Sequence, residues 1–443
     1  MNPYPLEVTP RSGKVSEGMA AAVHHALLWL VVGNAIGVMI ATLLLLPQLN
    51  VLLDEWSYGR WIIVHMNLGL YGWCSLPLIG FLFRAYKADQ GSTAQWCRPV
   101  IWLWSAALVL GSITWLSGDS SGKLFLDWSG VARVFFPLAM VALWLLLAVS
   151  LGTTWKSASN QRGRMAKLGG LAVLLVVPAV IFIACNPNLY PAVNPDTGGP
   201  TGASQFESSL AIVAILLMLP YGLTRRAVKT TRVIPIAWLV LLGEAILCAA
   251  LGRSDISHHR PAQYLSLGSL LLWIPLMPIY YGAFKWHPAT SKWRTAFLMW
   301  WGALVVSGWV MFLPGVLDHF KFTDGLVGHS LTAIAGFVTA LLIFVMIQLL
   351  GEAGWIFNRE WSFYAWNAGV LAYVLLMTAA GWLEGIDPAF TIVPGVVRNL
   401  IYLLRLMTGL AMLAASLDWL TDSMALNRGR QIKSALVLLE KSA

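Results

Sequence analysis

The stretch ALLWLVVGNAIGVMIATLLLLPQL (26–49), followed by YGRWIIVHMNLGLYGW (58–73), decides how this chain folds. No charged side chain occurs between Ala26 and Leu49, and after Arg60 none occurs again before Arg84 apart from the titratable His65. About 20 apolar residues in a helix cross a hydrocarbon core ~30 Å thick. Runs of this kind recur almost to the C-terminus. Of the 443 residues, 58% are hydrophobic and 11% charged, where a soluble domain carries about 25% charged residues. Lipid is therefore the solvent for most of this surface. A helix is the element that satisfies every backbone N–H and C=O within its own segment.

The apolar runs predict twelve spans, at 23–48, 59–85, 97–116, 131–152, 167–186, 207–223, 233–251, 264–286, 295–314, 325–351, 361–383 and 393–421. The fold expected is an all-α polytopic membrane protein, one membrane domain over 1–443 with short tails. Lys and Arg mark the orientation, because they accumulate on cytoplasmic loops. Placing the N-terminus inside gives a roughly threefold excess of basic residues on the cytoplasmic side. The clusters Lys156/Arg162/Arg164/Lys167 and Arg225/Arg226/Lys229/Arg232 contribute to it. Both termini are then cytoplasmic, in the inner membrane. The first twenty residues are polar and predict no cleavable signal. The net charge of +9 is spread over short loops, which excludes a nucleic-acid-binding stripe. Cys74, Cys97, Cys185 and Cys248 form no C-x-x-C, so neither a zinc knuckle nor covalently attached haem is expected.

Depth places the histidines. His65 lies five residues past Arg60 on the inward-going second span, His258 and His259 at the outer end of the seventh, and His329 five past Asp324 on the tenth. At 1.5 Å per residue all four fall at similar levels toward the outer leaflet. Imidazoles converging from three helices suit haem iron, copper or non-haem iron. Taken singly, each is as readily a hydrogen-bonded helix contact. Gly69 and Gly72 follow His65 by four and seven residues, a spacing that lets a flat macrocycle lie against the helix or two helices pack closely. His24, His25, His287 and His319 are expected at the interfaces.

Together with SGKLFLDW (121–128), GRSDISHHRPAQYLSLGSLLLWIPLMP (252–278) and VGHSLTAIAGF (327–337), the two opening runs resemble the catalytic subunit of the haem-copper oxidase superfamily. The likeness is nearest the branch of the cbb-type cytochrome c oxidases and the nitric-oxide reductases. It covers nearly the whole chain and implies a cytochrome oxidase subunit I-like bundle. It also implies that His65 ligates a low-spin haem b, that His329 holds a high-spin haem, and that His258 and His259 bind copper or non-haem iron. Electrons would come from a cytochrome c-type or quinol donor, within a complex of respiratory subunits, to reduce oxygen or nitric oxide.

Two departures bear on turnover. Where the family has a second histidine two residues after His329, this chain has Leu331, so His65 lacks its usual partner across the haem. No histidine occurs in SQFESSLAIVAILL (204–217), where the metal's third ligand is expected, and Glu207 is the nearest replacement or a solvated loop acid. The seventh span also has no tyrosine. His329 also admits a register in which it pairs with His65 across a single haem. Two ionisable groups fall within spans, where charge is costly. Glu244 is read as a proton-path or hydrogen-bonded packing group. Arg405 is read as the partner of a haem propionate or of a carboxylate. A haem-poor structural or assembly subunit and a secondary transporter are the alternative functions.

Overall fold

The computed structural model describes residues 15–123, 126–155, 161–193, 206–227, 232–251 and 261–442. Twelve long helices dominate: α1 (Glu17–Leu45), α2 (Tyr58–Tyr86), α3 (Ala94–Leu116), α4 (Ala132–Thr154), α5 (Gln161–Ala184), α6 (Phe206–Leu223), α7 (Val233–Leu251), α8 (Tyr264–Gly282), α9 (Ser291–Met311), α10 (Asp324–Phe357), α11 (Glu360–Ile386) and α12 (Val396–Ser442). Eleven of them are long and apolar enough to cross a membrane, and the chain is an all-α polytopic membrane protein. The one set apart is α9. Its 21 residues have the length to span, but Lys292, Arg294 and the indoles of Trp300, Trp301 and Trp309 dilute its apolar character. The ninth predicted span is thus a helix of the expected length, less apolar than its neighbours. Outward faces carry what lipid favours: Val173, Val176 and Val180 on α5, and Leu239, Leu242 and Ile246 on α7, are exposed.

Successive helices alternate in direction. At the face where α1 starts, here called proximal, His24 Nδ1 lies 3.1 Å from Ser423 Oγ of α12. There Arg359, just before α11, pairs with Asp418 and Asp422 of α12 at 2.7 and 2.8 Å. At the distal face, Arg398 of α12 donates to the carbonyl of Leu44 at 3.0 Å. His25 is not interfacial: α1 begins at Glu17, six residues earlier than the first predicted span, so His25 lies within the bundle, bonded to Ser105 of α3 at 2.8 Å.

Five helices close a ring. α1 packs on α2 and on α12, α12 on α11, and α11 on α10. The ring closes where Trp73 of α2 donates its indole N–H to Thr339 Oγ1 of α10 at 2.9 Å. α9 lies outside this ring, against the other side of α10. The contact of α10 with α11 is made by glycines, since a Cβ on Gly381 would overlap the backbone of Gly325, and one on Gly328 would come 3.2 Å from the carbonyl of Val374. Small residues of this kind let membrane helices approach where no hydrophobic effect drives them together. Gly381→Ala is therefore expected to separate the two helices and cost about 1–3 kcal/mol, measured as a lowered unfolding temperature of the detergent-solubilised protein.

Candidate functional site

α2 enters from the distal face as a regular helix over Tyr58–Asn67 and then widens into a π-helix over Leu68–Trp73. The amide of Cys74 reaches five residues back to the carbonyl of Gly69, at 2.9 Å. α10 repeats the device, regular over Asp324–Leu331 and π over Thr332–Val338. In both helices the wide turn starts three residues after a histidine, His65 in one and His329 in the other. Such turns are rare and gather at functional sites.

His65 Nδ1 lies 2.8 Å from the carbonyl oxygen of Gly33 on α1. That oxygen can only accept, so Nδ1 carries the proton and Nε2 keeps its lone pair, the arrangement by which proteins present imidazole to a metal. Among the described residues Nε2 has no hydrogen-bond partner. Gly37 gives the ring its seat, for a Cβ there would stand 2.9 Å from Cε1. The residue is half-buried. Gly33 borders open space: it is buried, but a Cβ added to it would meet no atom within 4 Å. Gly69, one turn after His65, is equally clear. One turn before His65, the indole N–H of Trp61 is buried with no partner.

Gly72 sits elsewhere. A Cβ on it would come 2.6 Å from Cβ of Trp29, so it serves the packing of α1 on α2. The π-turn is the reason, since seven residues no longer amount to two regular turns once the helix widens.

Arg405 of α12 is buried in the distal half of the ring, close enough to His65 to act on it electrostatically. Its Nε donates to Tyr373 Oη at 2.6 Å, and Nη1 lies 3.5 Å from Asp324 Oδ1. Tyr402 donates to the other oxygen of Asp324 at 3.2 Å, and the amide of Asp324 donates to Glu384 at 2.6 Å. Of the two partners expected for Arg405, the carboxylate is the one in place.

His329 has a mount of similar design. Ser307 Oγ of α9 lies 3.1 Å from His329 Nδ1 and 3.2 Å from the carbonyl oxygen of Leu304. Gly308 flanks the ring, 3.4 Å from Cε1 to a Cβ placed on the glycine. Because α9 stands outside the five-helix ring, His329 faces away from His65. Leu331, two residues on and about 200° round the helix, packs on the cluster of Met377, Ala380, Ile401 and Tyr402 between α11 and α12. Leu331 thus takes the ring side of α10.

His258 and His259 lie outside the described residues. Glu207 is exposed at the start of α6, and among the described residues no three His, Cys, Asp or Glu side chains gather as a metal-binding group. Glu244 is buried between α7 and α8, where Oε2 accepts from Trp273 Nε1 at 2.6 Å and Oε1 has no partner. His319 bonds to the carbonyl of Trp382 at 2.9 Å, and His287 lies 3.3 Å from Glu352.

Trp61, Gly33, Gly37, Ser307 and Tyr373 join the site without having been singled out in the sequence. Trp61 is one turn from His65, and Gly33 and Gly37 stand four apart in VVGNAIG (31–37), so these three left a signal in spacing. Ser307 and Tyr373 left none, since their roles depend on which helix lies opposite. Comparison with models of known families gives no match, and neither does comparison with curated proteins.

Arg405→Met would strand the Asp324 carboxylate in the ring, and the expected cost is about 3–5 kcal/mol. Adding Asp324→Asn is expected to recover part of it, with both effects read from thermal unfolding in detergent.

Proposed function

We propose that this chain is a haem-binding membrane protein of the haem-copper oxidase type that carries electrons toward a terminal acceptor, oxygen or nitric oxide. The observation that carries the reading is the mount of His65: a tautomer fixed by Gly33, a bare Nε2, and open ground beside it at Gly33 and Gly69. On this reading the residues would serve a porphyrin. His65 would hold the iron, the two glycines would leave space for the ring, and the unpartnered N–H of Trp61 would meet a propionate. Arg405 would add positive charge near those carboxylates while remaining paired with Asp324. A bound haem b supplies a reversible one-electron iron couple, whose potential the protein tunes through axial ligands and burial. His329, held by Ser307, would offer a second imidazole for a second haem on the α9 side. Copper or non-haem iron would belong to His258 and His259.

On this reading the basic bias of the loops would set the proximal face in the cytoplasm and the haem toward the outer side of the inner membrane. A cytochrome c-type or quinol donor and companion respiratory subunits are the partners this reading calls for. A structural or assembly subunit that keeps the bundle without haem is the second reading, favoured by Leu331 and by the absence of histidine from 204–217.

A reduced-minus-oxidised visible spectrum with pyridine-haemochrome quantitation separates the two. One or two haems b per chain are expected, and their absence would leave the structural reading standing. His65→Ala should lose a haem. Gly33→Leu, whose Cβ would meet no atom within 4 Å, should lower haem content more than it lowers the unfolding temperature of the haem-free protein. A Gly33→Leu protein with full haem occupancy would remove the assignment of the space at Gly33.

A further inference from the structure

We propose that Glu244 of α7 is a proton-binding site inside the membrane, a carboxylic acid that keeps its proton on Oε1 and is open from the lipid side to a lipophilic carboxyl reagent. The inference does not depend on haem and concerns α6, α7 and α8, which lie outside the five-helix ring. Glu244 is only 5% exposed, yet it stands on a helix whose other residues face lipid: Leu239, Leu242, Gly243 and Ile246 are exposed. A Cβ on Gly243, the residue before it, would meet no atom within 4 Å, so the helix surface beside the carboxyl is uncovered.

Oε2 accepts from the indole N–H of Trp273 on α8 at 2.6 Å, and Oε1, equally buried, has no partner among the described residues. Trp273 is itself fixed, fully buried and with its carbonyl accepting from Trp301 of α9 at 3.1 Å. Ser269 also stands beside the carboxyl, its Oγ 2.7 Å from the carbonyl oxygen of Ser266. An ionised carboxylate here would need a cation. No Lys, Arg or His occurs in α6, α7 or α8, and an indole is a neutral donor that does not replace a counter-ion. A lone buried carboxylate takes up a proton rather than remain charged. With Oε2 already accepting, the proton belongs on Oε1, where no protein group holds it. Packing alone would be served by an apolar side chain, without the cost of a polar one at this depth.

A carbodiimide reports such a proton directly. The Oε1 proton passes to one carbodiimide nitrogen, a Glu244 oxygen bonds to the central carbon, and migration of the acyl group to nitrogen fixes the whole reagent as an N-acylurea, with no leaving group. The full-length chain in detergent is treated with dicyclohexylcarbodiimide and, separately, with a water-soluble carbodiimide, and the labelled peptides are mapped by mass. Glu244 is expected to take the lipophilic reagent and not the soluble one, and Glu244→Gln to lose that label. The infrared spectrum is expected to carry a protonated-carboxyl C=O band that Glu244→Gln removes and that Trp273→Phe, by baring Oε2, moves to higher frequency. An unlabelled Glu244 in a sample whose exposed Glu207 reacts with the soluble reagent overturns the proposal. So does an infrared spectrum unchanged by Glu244→Gln, for the group is then ionised, and so does labelling of Glu244 by the soluble reagent, for the site is then reached from water. If either variant fails to fold, the label mapped on the unaltered chain decides alone.

Discussion

Lipid offers the backbone no hydrogen-bonding partner, so each span must satisfy its own N–H and C=O groups. Everything else in this molecule works within that limit. A helix in such a solvent cannot break to make a site, but it can widen, exchanging one set of internal bonds for another. α2 and α10 do so at Leu68–Trp73 and Thr332–Val338. Each wide turn separates a distal segment that carries a histidine from a proximal segment, and the two helices meet at Trp73 and Thr339.

Within the distal half, the two histidines are each held through Nδ1, His65 by the carbonyl of Gly33 and His329 by the hydroxyl of Ser307. The carbonyl can only accept, so it fixes the tautomer of His65. The guanidinium of Arg405 is matched by Asp324 and by the phenol of Tyr373, and Asp324 is bound in turn by Tyr402. Buried charge tolerates no other arrangement, since an unpaired ion in this medium costs several kcal/mol. Among the described residues the indole N–H of Trp61 is one of several buried polar groups without a partner, and the space at Gly33 is unfilled.

The two histidines also show how far helix geometry constrains function. Positions two apart on a helix cannot face the same neighbour. His329 meets Ser307 of α9, while Leu331 packs on the cluster between α11 and α12. The glycine contact at Gly325, Gly328 and Gly381 holds α10 close against α11.

Much of this was legible in the sequence. Composition and run length fixed the solvent, the helical class and the spans to within several residues, because crossing a hydrocarbon core demands a length and an apolarity that no other need imposes on so many segments. What residue counts could not supply was facing. Gly72 was grouped with Gly69 by a regular period that the π-turn cancels, and His25 was put at an interface because α1 begins earlier than its apolar run. Arg405 had two candidate partners until α10 brought Asp324 beside it. Which neighbour a side chain meets depends on how each helix is rotated and on what stands across from it, and both are settled by packing between distant segments.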